Sequence, residues 1–90
     1  MTPETRSALR RELYERLERA ELGLVEAVRM MRKIADKTQE EYARMVGISP
    51  RVLKDFERGA GNPGLKTLNR ILAPFNLELT VRRKRSMPPA

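Results

Sequence analysis

Apolar residues recur along this chain mainly at the three- and four-residue spacing of amphipathic helices. Thr2 and Pro3 are typical of a helix start, and the stripe that follows predicts a first helix over about residues 3–21. Its apolar positions are Leu9, Leu13, Leu17, Ala20 and Leu24. Gly23 interrupts the stripe, and a second helix is predicted over about residues 24–36. The leucine stripe of the first helix either packs on the rest of the domain or meets a partner.

Two short capped helices follow, joined by a tight turn. Thr38 belongs to a Thr-x-x-Glu capping box, which predicts a helix that begins at Gln39. Gly47 supplies the left-handed conformation that ends this helix. Ser49 then caps a second helix whose first residue is Pro50, where a missing N–H costs nothing. This spacing is typical of a helix-turn-helix that binds DNA.

The two helices divide into an inward and an outward set of side chains. The inward set is Ala43, Val46, Ile48, Val52, Leu53 and Phe56. The outward set of the second helix is Pro50, Arg51, Lys54, Asp55 and Arg58. A helix docked in the major groove presents its N-terminal end to base edges, so Arg51 is the predicted base contact. Its guanidinium can pair with O6 and N7 of guanine, which contributes about 1–3 kcal/mol of discrimination.

The other outward residues have weaker assignments. Lys54 and Arg58 lie one helical turn apart and are predicted to bind phosphates without contacting bases. Asp55 would repel phosphate unless it accepts a hydrogen bond from cytosine or orients Arg51, and we favour the orienting role. Pro50 offers an apolar surface to a thymine methyl, although its place at the helix start explains it fully.

The N-termini of both helices are candidate phosphate sites. Gln39 lies at the first helical position, where free backbone N–H groups and the helix dipole favour an anion. Thr38 and Ser49 are structural caps first, and either hydroxyl could also contact a phosphate. For each of these side chains a simple capping or solvated role is the alternative.

This stretch resembles the phage-repressor-like, or Xre-type, helix-turn-helix family. The resemblance covers about residues 24–77, and the matching residues are Arg32, Gln39, Ala43, Gly47, Ile48, Ser49, Leu53, Phe56, Glu57 and Gly59. It implies that Gln39 contacts a phosphate and that Arg32 and Glu57 form an ion pair between helices. Two unrelated surface charges are the alternative for that pair.

The loop of residues 59–64 separates this unit from a last helix, predicted over about residues 65–73, which Pro74 ends. Its inward residues are Leu65, Leu68, Ile71 and Leu72. Asn76 is suited to a left-handed cap. Residues 61–63 and 65–81 resemble the HipB-like branch of the family, in which a strand after the last domain helix pairs with its two-fold mate.

The residues after Asn76 have the two-residue period of a strand. Leu77, Leu79 and Val81 alternate with polar residues, and a lone strand needs a partner. We therefore predict that residues 77–83 pair with the same strand of a second protomer. A terminal segment that only packs on its own helices is the alternative.

The sequence thus predicts an all-α bundle of about five helices, including an extra N-terminal helix, with one short C-terminal strand for dimerisation. The predicted organisation is an N-terminal helix (1–23), a DNA-binding domain (24–76), a dimerisation strand (77–83) and a basic, disordered tail (84–90). Whether the tail contacts DNA is left open.

Composition narrows the classes of function. The chain of 90 residues carries a net charge of +7 and has no cysteine and no histidine. An enzyme, a metal site and a cofactor are therefore not expected. No apolar run approaches the roughly 18 residues of a membrane span, so we expect a cytoplasmic protein without a membrane partner.

The charge is uneven in a way that favours a polyanion partner. Residues 1–23 carry five charges of each sign, whereas residues 59–90 carry six basic side chains and one acidic. The leading hypothesis is a sequence-specific transcriptional regulator, a dimeric autorepressor that binds double-stranded operator DNA with residues 50–58. The HipB-like resemblance adds the hypothesis of an antitoxin with a cognate toxin. The alternative is a protein-interaction module in which the same scaffold binds a partner protein.

Overall fold

The computed structural model describes residues 2–83, and this part of the chain forms five α-helices and one short 3₁₀ helix. They are α1 (Pro3–Glu18), α2 (Leu24–Ala35), α3 (Gln39–Val46), α4 (Pro50–Glu57), α5 (Leu65–Leu72) and the 3₁₀ turn Ala73–Phe75. The prediction of a helical bundle with an extra N-terminal helix is confirmed. The basic tail of residues 84–90 lies outside the described residues.

Local chemistry sets the helix boundaries of α3 and α4. The Thr38 hydroxyl accepts a hydrogen bond from the Glu41 N–H at 3.1 Å, and the Glu41 carboxylate accepts one from the Thr38 N–H at 2.9 Å. The capping box is therefore complete. Gly47 ends α3 with φ +77°, and the Ser49 hydroxyl accepts from the Arg51 N–H at the start of α4. Both predicted helix starts are confirmed.

The first helix ends earlier than predicted. It stops at Glu18 because Ala20 turns into the left-handed region with φ +54°, and the Glu21 N–H then bonds back to the Arg16 carbonyl. No sequence pattern predicts an alanine at positive φ. Gly23, three residues later, is the residue type that a sequence pattern marks as an interruption. The last helix behaves as predicted, since α5 ends at Leu72 and Asn76 adopts the left-handed cap with φ +54°.

One core joins all five helices. Its buried members are Leu13, Ala27, Val28, Met31, Ile34, Tyr42, Ala43, Leu53, Phe56, Ile71, Leu72 and Phe75. Tyr42 is the largest fully buried side chain, and its hydroxyl donates to the Ile71 carbonyl at 2.7 Å. This bond joins α3 to α5, and it gives the buried Tyr42 hydroxyl a hydrogen-bond partner.

The predicted inward-facing residues of α4 and α5 were wrong at two positions. Val52 is 37% exposed and Leu65 is 64% exposed. Val52 lies 100° around α4 from the buried Leu53, which places it at the edge of the packed face. Leu65 is the first residue of α5, and only the later turns of that helix reach the core.

The N-terminal helix α1 is part of this domain. Leu13 is fully buried, and Leu9 and Leu17 pack beside it on the core. The Tyr14 hydroxyl donates to the Phe75 carbonyl at 2.9 Å, and the Arg10 guanidinium lies 5.8 Å from the centroid of the Phe75 ring. The leucine stripe therefore packs on its own chain and is not free for a partner.

Residues 77–83 form neither a helix nor a strand, so the predicted strand is not confirmed. Leu77 and Leu79 are half-buried against the core, Glu78 and Thr80 are exposed, and Val81 is 96% exposed. This alternation is the period expected of a half-buried strand. Pairing with a second protomer is not tested by one chain and stays a prediction.

Candidate nucleic-acid interface

The N-termini of α3 and α4 lie on two helices that pack against each other, so their outward residues share one surface. Gln39 is half-buried at the first position of α3, and Thr38 is exposed beside it. On α4, Ser49 is exposed and Pro50 is half-buried. This surface thus offers two helix starts, each with a side-chain cap and free backbone N–H groups suited to an anion.

Arg51 is the exposed cation at the N-terminal turn of α4. Its backbone N–H is held by the Ser49 hydroxyl at 3.2 Å. Within residues 2–83 its guanidinium makes no ion pair and no hydrogen bond to another side chain. The planar donor fork of Arg51 is therefore available to a ligand without breaking an internal contact.

The two other cations of α4 are already paired. Lys54 Nζ lies 2.5 Å from an Oε1 atom of Glu40 on α3, and the Arg58 Nη2 atom lies 2.9 Å from Asp55 Oδ1. The hydrogen bond from Lys54 is the main cause that lowers the pKa of the Glu40 carboxyl. The expectation that Asp55 orients Arg51 was wrong, because Asp55 accepts two hydrogen bonds from Arg58 instead.

An ion pair fixes α4 to α2 beneath this surface. Arg32 donates from Nε and Nη2 to the two carboxylate oxygens of Glu57, each at 2.9 Å. Glu57 is buried to 3% exposure, and Arg29 donates to its backbone carbonyl. Arg32 also donates to the Lys37 carbonyl at 3.2 Å. The structure thus brings together the two residues that the resemblance paired, and adds Arg29, which the sequence did not single out.

The family model for the helix-turn-helix family HTH_3 matches residues 28–81. The chain belongs to this family. The match confirms the resemblance at the level of the Xre-type helix-turn-helix, while the HipB-like branch stays a prediction.

The helix-turn-helix protein is also similar to a curated relative, an uncharacterized HTH-type transcriptional regulator of Archaeoglobus fulgidus. The two are 40% identical over 47 residues, which make up 52% of this chain and 20% of the relative. The chain therefore spans only about a fifth of that protein. No solved structure matches the chain at a significant level.

Membership of this family agrees with the prediction that this helix-turn-helix unit is not an enzyme. Within residues 2–83, no helix is long and apolar enough to cross a membrane.

Two contacts of the helix-turn-helix surface were not predicted. Arg70 of α5 donates to the Gly47 carbonyl at 3.1 Å, and so holds the turn between α3 and α4 from outside. Glu40 meets Lys54 across the two helices. Both contacts join residues that lie more than ten positions apart, so no local spacing rule could have found them.

Proposed function

We propose that this helix-turn-helix protein is a sequence-specific DNA-binding regulator of transcription, a dimer that represses its own operon. The observation that carries the proposal is Arg51, an exposed guanidinium at the N-terminal end of α4 without a side-chain partner among residues 2–83. That end of a helix-turn-helix is the part that reaches base edges in the major groove. The bidentate pair of arginine with guanine supplies the sequence information.

Backbone contacts would position Arg51. Gln39 at the start of α3 and the backbone N–H groups of both helix starts are suited to phosphates on either side of the groove. Thr38, Ser49 and Pro50 hold those helix starts in place, and the hydroxyls of Thr38 and Ser49 are exposed beside them. The net charge of +7 supports a polyanion as the ligand.

The dimer rests on residues 77–83. The half-buried alternation of Leu77 and Leu79 with polar neighbours, and the exposure of Val81, support a strand that would pair with the same segment of a second copy. Two recognition helices would then contact half-sites about 10 bp apart, which is roughly 34 Å.

Selection of duplexes from a randomised library tests this proposal. We expect an enriched motif with two-fold symmetry and half-sites separated by about one helical turn. Enrichment of a single unrepeated half-site would contradict the dimer, and no enrichment of any sequence would contradict specific DNA binding. A monomeric mass in solution at tens of micromolar would also contradict the dimer.

The structure offers no support for the antitoxin hypothesis through α1. A partner such as a toxin was one of the two possible contacts of its leucine stripe, and Leu13 of that stripe is fully buried in the domain core. The protein-interaction module remains as the competing class. Reversal of charge at Arg51 and Lys54 separates the classes: loss of activity together with DNA binding supports the regulator, whereas unchanged biological activity would show that α4 does not act by binding DNA.

A further inference from the structure

Glu40 lies on the candidate DNA-binding surface without a role in the proposed function. It is the second residue of α3, and its carboxylate lies 2.5 Å from Nζ of Lys54 on α4. Both side chains are about half exposed, at 43% and 48%. The pair therefore sits where solvent, and a docked duplex, can reach it.

A second ion pair on the same surface has the same arrangement, a cation of α4 held by a carboxylate. Asp55 holds Arg58 at 2.9 Å, so two of the three cations that α4 presents outward carry a carboxylate of the same surface. Arg51 differs, since within the described residues no carboxylate pairs with it. The cation proposed to contact a base is free, and the cations suited to phosphates are neutralised.

We infer that Glu40 is a positioning residue that restrains Lys54 and so limits the affinity of the protein for the DNA backbone, whatever the base sequence. The inference rests on the proposed function, because it requires that a duplex docks on α4. It assigns to Glu40 a role in binding strength and none in sequence preference.

The physical reason is that a phosphate near Lys54 is also close to the negative charge of Glu40. A phosphate within hydrogen-bond distance of Lys54 also lies within a few ångströms of the Glu40 carboxylate, and the two anions repel. Binding must then break the ion pair or accept that repulsion. Since backbone binding depends on neutralised phosphates, a paired Lys54 contributes less to it than a free one.

This restraint acts most visibly on non-cognate DNA. Without the proper bases, a complex depends almost entirely on phosphate contacts, and its affinity falls with salt in proportion to the phosphates neutralised. Two carboxylates beside the phosphate-facing cations would therefore shorten the time that the protein spends on non-cognate sequences. Arg51 would keep its full contribution at the operator.

The test is the salt dependence of binding to a labelled duplex of scrambled sequence, for the full chain and for Glu40→Gln. Glutamine keeps the size and helix propensity of glutamate and removes only the charge. We expect Glu40→Gln to bind about two- to fivefold tighter at about 50 mM salt, the range of one exposed ion pair. We also expect the slope of log K against log salt to steepen by about 0.9, the value for one additional phosphate.

Two controls separate this role from a general effect of charge. Glu12→Gln makes the same change of charge on an exposed position of α1, and should leave the slope unchanged. In a Lys54→Ala background, Glu40→Gln should also leave the slope unchanged, because Glu40 acts through Lys54. Sequence preference should be the same in all variants.

Several outcomes would overturn the inference. They are an unchanged slope in Glu40→Gln, an equal change in Glu12→Gln, or the same change in the Lys54→Ala background. Altered base preference in Glu40→Gln would show instead that this carboxylate contacts a base. If the unmodified protein bound no duplex at any salt concentration, the proposed function would fail together with the inference, and that result differs from the others.

Discussion

The Arg32 guanidinium and the Glu57 carboxylate meet through two parallel hydrogen bonds of 2.9 Å, which join α2 to the C-terminal end of α4. These hydrogen bonds are the main cause that raises the pKa of Arg32. Glu57 is almost fully buried, whereas Arg32 is 27% exposed. The pair therefore joins a buried carboxylate to a cation that is still partly solvated. It also fixes the position of α4, the helix that carries Arg51.

Removal of the guanidinium should destabilise the protein without altering its DNA preference. Arg32→Ala leaves the buried Glu57 carboxylate without its main partner, which should lower the free energy of unfolding by about 3–5 kcal/mol. Lys33→Ala is the matched control, because Lys33 is an exposed cation on the same helix and should change it by less than about 0.5 kcal/mol. Urea denaturation measures both. Equal stability of the two variants would show that the ion pair contributes nothing.

Tyr42 should make stability sensitive to alkaline pH. Burial raises the pKa of Tyr42 to about 12, against about 10 in the unfolded chain. The folded state thus binds the proton more tightly, and this contribution is complete below pH 10 and is lost as the pH rises from about 10 to 12. Within that window the unfolding free energy should fall by up to about 1.4 kcal/mol per pH unit through this group.

The variant Tyr42→Phe isolates this effect from the lysines, which titrate in the same range. It removes the 2.7 Å hydrogen bond to the Ile71 carbonyl and should cost about 1–2 kcal/mol near neutral pH. The difference from the unmodified protein should then shrink between pH 10 and 12. A difference that stays constant over this window would mean that Tyr42 ionises as easily in the folded state as in the unfolded one.

The N-terminal helix should be necessary for the stability of the domain. Leu13 is fully buried, so Leu13→Ala should lower the free energy of unfolding by about 2–5 kcal/mol. Leu65→Ala makes the same chemical change at a side chain that is 64% exposed, and should cost little. Thermal unfolding followed by circular dichroism compares them. A Leu13→Ala variant as stable as Leu65→Ala would mean that α1 does not dock in solution.

The sequence predicted those parts of the fold that local chemistry decides. The capping box at Thr38, the left-handed Gly47 and the Ser49-Pro50 helix start each depend on residues within four positions of one another, and all three were found. The end of α1 at a left-handed Ala20 was missed, because packing and not propensity favours that conformation.

The residues of the candidate site also divide into those that local sequence could predict and those that it could not. Arg51 could be singled out because its place in the helix-turn-helix motif predicts that its side chain faces the DNA. The partners of Lys54 and Asp55 could not be assigned, since Glu40 lies on another helix and Asp55 had two cations one helical turn away. Arg70 and Arg29 contact backbone carbonyls of distant segments, and such contacts leave no pattern in the sequence.

The most direct measurement of the central claim is binding to a labelled duplex from the region upstream of the gene, beside a scrambled duplex, at two salt concentrations. Arg51→Ala is the test variant, because Arg51 has no internal partner within the described residues and its loss should not weaken the fold. We predict a preference for the upstream duplex of about 10³-fold or more, reduced by about 1–3 kcal/mol in Arg51→Ala. Equal, weak and salt-sensitive binding of both duplexes by the unmodified protein would contradict autorepression, and a preference that survived Arg51→Ala would contradict the role of this arginine.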